Sequence, residues 1–150
     1  MKSVLFALLA VLSLLPASAF AERAGDEILG LWHTTDDKAV VQISKVNNQY
    51  FGRIISLKDP NWPPNSGARG TPKLDRRNPN PELRNRPIAG LQFMGNFVYA
   101  GNNVWEGGKI YDPESGKSYK CKLTLSNPNR LLVRGYVGFS MLGRTEVWTR

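Results

Sequence analysis

From Gly30 onward the chain is a succession of short segments rich in Val, Ile, Tyr and Trp, punctuated by Gly, Asn, Pro and Asp, with no sustained 3.6-residue apolar period. That pattern excludes a helical bundle and predicts an all-β fold. Strands are expected at 30–35, 39–46, 49–57, 89–100, 104–111, 118–125, 130–138 and 143–149, with Gly95 able to break the fourth. Asn47-Asn48 suits the positive φ angles of a tight hairpin, and Asp112 to Gly116 and Asn127-Pro128-Asn129 are turns by composition. Consecutive strands should therefore pair as neighbours. About eight of them closing into an up-and-down antiparallel β-barrel would leave no exposed edge and would enclose either side chains or one small ligand.

One connection breaks the rule of short turns. Lys58 to Ile88 holds seven of the ten prolines (Pro60, Pro63, Pro64, Pro72, Pro79, Pro81 and Pro87) and no strand or helix pattern. Seven cations (Lys58, Arg69, Lys73, Arg76, Arg77, Arg84 and Arg86) face three carboxylates (Asp59, Asp75 and Glu82), a net charge of +4. Its prolines lower the entropy lost on ordering, and Trp62 and Leu83 give it something to bury, so it is expected to pack as a lid across one barrel mouth. A mobile linker is the alternative.

The first 21 residues carry their own message. Lys2, an apolar run from Val4 to Leu12, Pro16, and the small residues Ala19 and Ala21 form a signal peptide, with cleavage expected before Glu22. The run is too short to remain as a span, and no cysteine follows the cut for lipid attachment. A periplasmic or secreted protein is expected, with residues 22–150 forming one barrel domain, monomeric and without a transmembrane anchor. The formal charge of +8 loses Lys2 on cleavage and still favours anionic ligands or surfaces. Nucleic acid is not an expected partner of an exported chain. Cys121, the single cysteine, forbids an internal disulfide, and its place in Tyr119-x-Cys121-x-Leu123-x-Leu125 reads as a small buried hydrophobe.

Motifs for known chemistry are thin. Gly116-Lys117-Ser118 matches the end of a phosphate-binding loop, but Tyr111 stands where its first glycine belongs. There is no cysteine and histidine cluster for zinc, and a serine triad would have to use His33, the sole histidine. No metal and no cofactor are expected. A carboxylate pair such as Asp75 with Asp112 or Glu106 could do acid-base work, although turn and loop roles suit these residues as well.

Gly30-Leu31-Trp32 in the first strand, with Arg144 and Trp148-Thr149-Arg150 in the last, resembles the Gly-x-Trp and terminal Arg of lipocalin-like barrels. The resemblance implies that Trp32 plugs one barrel end under a stacked Arg144 or Arg150. Gly52-Arg53-Ile54, Leu57-Lys58-Asp59-Pro60, Asp75-x-x-Asn78-Pro79, Arg86-Pro87-Ile88-x-Gly90-Leu91, Gly108 to Pro113, Arg134-Gly135-Tyr136 and Gly143 to Trp148 follow in order. Together they resemble the bacterial secreted family known as domain of unknown function 2147, over about residues 28 to 150. This implies a small lipocalin-like barrel and brings no activity with it.

The hairpin 118–125 to 130–138 can pair in two ways, and a shift of one residue exchanges its faces. Leu125 opposite Arg130 would send Arg134 and Tyr136 into the barrel; Leu125 opposite Leu131 would send Val133, Gly135 and Val137 there instead. Pairing Tyr111 with Ser118 carries Glu106 inward by simple alternation, and a buried carboxylate needs a cation, so the first register is expected. An interior group of Glu106, Arg134 and Tyr136 would then hold the polar end of a small amphipathic or anionic ligand, covered by a lid carrying Asp75, Arg84 and Arg86. Two further readings stand beside this one. In one, an envelope module with a filled barrel grips anionic polymers or lipids through Arg76, Arg77, Arg84 and Arg86. In the other, a hydrolase uses an acidic residue near the loop.

Overall fold

The computed structural model describes residues 24–139 and 143–150; the signal segment expected at 1–21 lies outside them. Eight antiparallel strands run in order: β1 (Gly30–His33), β2 (Ala39–Val46), β3 (Gln49–Leu57), β4 (Gln92–Gly101), β5 (Val104–Asp112), β6 (Lys117–Asn127), β7 (Arg130–Tyr136) and β8 (Gly143–Thr149). Each pairs with the next, and His33 opposite Thr149 joins β1 to β8, closing the barrel as expected. β1 stops two residues early because Thr35–Asp37 turns over with Asp36 and Asp37 at positive φ. β4 is continuous through Gly95, over whose missing side chain the Phe51 ring lies.

Up-and-down order sorts the connections by end. Those after β2, β4 and β6 are tight and lie at one end with both termini of the sheet; those after β1, β3, β5 and β7 crowd the other. The first end is shut by residues 24–29. Trp32 and Trp105, both fully buried, donate their indole N–H groups to Ile28 O (2.8 Å) and Gly25 O (3.2 Å). Tyr50 donates to Asp26 Oδ1 at 2.9 Å and Lys45 pairs with the same oxygen at 2.8 Å. The arginine over the plug is Arg150, its guanidinium 4.3 Å from the Trp32 ring centre and its N–H groups on Leu29 O and Glu27 O. Arg144 sits at the opposite end of β8, where it pairs with Glu146 at 3.7 Å.

Apolar side chains fill the bore above the plug: Val41, Ile43, Met94, Phe97, Leu123, Leu131, Val133 and Trp148 are all at most 3% exposed. Cys121 belongs to this core, 1% exposed, and burial pushes its thiol up to about 12, so it packs as a hydrophobe.

The expected interior polar group does not form. Leu125 pairs with Leu131, so Val133 and Gly135 face inward and Arg134 and Tyr136 face outward. Arg134 donates to Thr145 Oγ1 on the outer wall at 2.8 Å. Glu106 is also outside, 3.3 Å from Lys122. The pairings Tyr111 with Ser118 and Gly108 with Cys121 hold as expected, but Trp105 then faces Leu123, leaving Glu106 and Gly107 as a bulge. Gly107, at φ +76, supplies the left-handed residue that such a bulge requires, and the extra residue reverses inside and outside. It is Trp105 that points inward. A second irregularity between Leu125 and Asn127 closes the next turn in the Leu125–Leu131 register.

Candidate functional site

The basic loop between β3 and β4 is folded, and its prolines and short polar residues explain how. Proline cannot sustain a sheet ladder, so the segment crosses itself through isolated contacts, Asn61 opposite Pro72 and Leu74 opposite Pro87. Its ends are pinned by Lys58 N–H to Lys38 O (2.9 Å) and Gly90 N–H to Ile54 O (2.8 Å).

At its centre lies Asp75, completely buried. One carboxylate oxygen accepts from Asn78 Nδ2 (2.8 Å) and from Arg86 Nε and Nη2 (2.9 Å each); the other accepts from the Tyr111 hydroxyl at 2.5 Å. Asn78 in turn accepts from Asn80 N–H through its side chain (2.9 Å) and from Arg84 Nε through its carbonyl (2.7 Å). Asn80 caps the short turn Pro81–Leu83 by accepting from Glu82 N–H. A buried carboxylate is tolerable here because every face of it meets a donor, one of them cationic. Tyr111 comes from the outer face of β5, so this part of the loop is fastened to the outside of the β5–β6 hairpin. Gly116, in that hairpin's turn, allows the approach: an added Cβ would stand 2.0 Å from Arg77 O. Burial, reinforced by the bond to Asp75, pushes the Tyr111 phenol up to about 12, so it remains a donor at physiological pH.

Of the six residues singled out from sequence, Asp75, Arg84 and Arg86 come together in this network, while Glu106, Arg134 and Tyr136 lie on the outer wall and do not join it. Tyr111 and Asn78 are the members that sequence reasoning assigned no role; the Asp75-x-x-Asn78 spacing was the available sign, since a short polar side chain three residues on can turn back to its partner. The network holds the loop. Asp75 is sealed from solvent, and Asp112 is spent on its own turn, accepting from Glu114 N–H and Ser115 Oγ. Among the described residues no three His, Cys, Asp or Glu side chains gather as a metal site would need.

What the loop offers to solvent is charge. Arg69, Arg76 and Arg77 are exposed. Arg76 and Lys73 lie over the Trp62 ring at 5.5 and 5.9 Å, which steadies both cations against an aromatic face. Two hollows among the described residues are open grooves of about 200 and 180 Å³. They lie on the outer wall, the larger beside Lys109, Tyr111 and Ser118, the smaller beside Ser44, Val46 and Phe51. No helix among the described residues is long and apolar enough to cross a membrane.

No curated protein matches the chain. A solved structure, that of protein HP1028 from the human pathogen Helicobacter pylori, described as belonging to the lipocalin family, is similar to it. The identity is 26%, 81% of each chain is covered and the TM-score is 0.69. The family model described as "Uncharacterized protein conserved in bacteria (DUF2147)" matches residues 30–150. With the closed eight-stranded barrel, the Trp32–Arg150 plug and this match, the chain belongs to the bacterial family DUF2147, as a lipocalin-like barrel.

Proposed function

We propose that the protein is an exported binding module of the cell envelope that engages anionic ligands, polymers or lipids, through the basic loop at the end of a filled barrel away from the plug. The observation that carries this reading is the division of labour in residues 58–91. Arg86 is half-buried against Asp75 and Arg84, though exposed, commits its Nε to Asn78 O, whereas Arg69, Arg76 and Arg77 stand in solvent on a scaffold those contacts hold in place. Fixed, exposed cations on a chain of net charge +8 favour an anionic partner by long-range attraction.

Replacing Arg69, Arg76 and Arg77 together by Gln is expected to leave the fold intact and to weaken binding to phosphatidylglycerol vesicles and to dextran sulfate at low salt. For vesicles the loss should be at least about tenfold, since each cation near an anionic bilayer is worth about 1 kcal/mol. Titration of both variants at low and at high salt checks this. Equal affinity of the triple variant and the wild type would overturn the proposal.

One observation favours a small amphipathic ligand inside the barrel as a second reading. The indole N–H of Trp148, 1% exposed on the inner face, has no acceptor among the described residues. Such a ligand would have to displace packed side chains, and its copurification with the wild type would support this reading over the first.

A further inference from the structure

Resting on that reading, we infer that the anionic partner is a lipid bilayer, on which the barrel docks with the end away from the plug down. Strand order places the β3–β4 loop and the β7–β8 connection on opposite sides of the same end, the one away from the plug. The first brings the exposed guanidinium groups. The second brings Val137 and Phe139, 67% and 78% exposed, on either side of Gly138 at φ +71. Phe139 is the most exposed large apolar side chain among the described residues, and it stands beyond the end of its strand. Leu83, 37% exposed at the tip of the loop's short turn, adds an apolar group on the basic side.

A soluble polyanion would be served by the cations alone and would give these side chains nothing to bury against. A bilayer offers both phosphate charge and, just beneath it, an apolar layer. The complementarity is therefore double, charge on one side of the rim and apolar surface on the other. Asp36, Asp37, Asp112 and Glu114 share this end and oppose approach to anionic lipid; the loop's surplus of cations together with Lys38 and Lys117 outweighs them. Leu31, Val46, Ile55 and Val98 are exposed within strands, where single apolar residues are ordinary.

The test is Val137→Ser with Phe139→Ser in the full-length exported protein, titrated against phosphatidylglycerol vesicles and, in parallel, against dextran sulfate. Burial of a phenylalanine and a valine in lipid predicts a loss of at least about tenfold on vesicles, persisting at high salt, with dextran sulfate affinity unchanged. If vesicle affinity is unchanged while the triple Arg→Gln variant still loses it, the bilayer inference fails and the basic-loop reading stands. If the wild type binds dextran sulfate but no vesicle, the outcome is the same. If the wild type binds neither probe, the reading beneath it fails as well.

Discussion

Arg86→Leu is expected to release the basic loop from the barrel. The substitution removes two of the four donors on Asp75, and with them the only cation paired to that fully buried carboxylate among the described residues. Breaking a buried pair at one end typically costs about 3–5 kcal/mol, because the remaining charge stays in a low-dielectric site without its partner. A loop has a cheaper escape than a core strand: it can swing out and rehydrate Asp75 while the barrel remains closed. The stability lost is therefore capped by the free energy that docks the loop, and the consequence is local. Trypsin should cut the variant after Arg76 or Arg77 under conditions in which the wild type survives, with a smaller change in the urea midpoint of the barrel. Arg86→Lys keeps the charge and loses the fork of two N–H groups, so it should fall between the two. Trypsin resistance of Arg86→Leu equal to the wild type would show that the Asp75 network does not hold the loop.

Trp32→Ala should cost the whole barrel about 3–5 kcal/mol, the usual range for truncating a large buried aromatic side chain. Here the cavity is only part of the loss. The indole N–H fixes Ile28 O, its ring carries Arg150, and Arg150 ties residues 27 and 29 to the β6–β7 turn through Pro128 O. Removing the ring thus unseats the segment that shuts this end of the bore. Trp32→Phe keeps most of the volume and loses the N–H bond, and should cost less than half as much. Urea unfolding of both variants measures this, and a Trp32→Ala midpoint equal to that of the wild type would contradict the role of the plug.

How far the sequence could be read depended on whether the signal was local. Strands, turns and closure follow from alternation and from Asn, Pro and Gly at the breaks, all properties of neighbouring residues, and the eight strands appear where expected. The plug was legible because Gly-x-Trp and a terminal Arg are recognisable without knowing the register. The inner face of β5 was misread because alternation was carried unbroken through Glu106-Gly107-Gly108. A pair of glycines inside a strand is itself a mark of a bulge, and weighing it would have placed Trp105 inside and Glu106 with Lys122 outside. Arg134 followed the same error, since it was brought inward to neutralise a carboxylate that never enters. The Asp75 network could not be read at all in its decisive contact. Tyr111 lies 36 residues away on a different element, and only the folded path of a proline-rich loop brings them together.

Hydrogen exchange on phosphatidylglycerol vesicles tests the central claim, binding at the end of a filled barrel away from the plug, most directly. Protection on binding is expected in residues 58–91 and at Val137 to Phe139, with none at the turns Asn47-Asn48, Asn102-Asn103 and Pro128-Asn129 of the closed end. Protection confined to those turns, or to strands lining the bore, would contradict it.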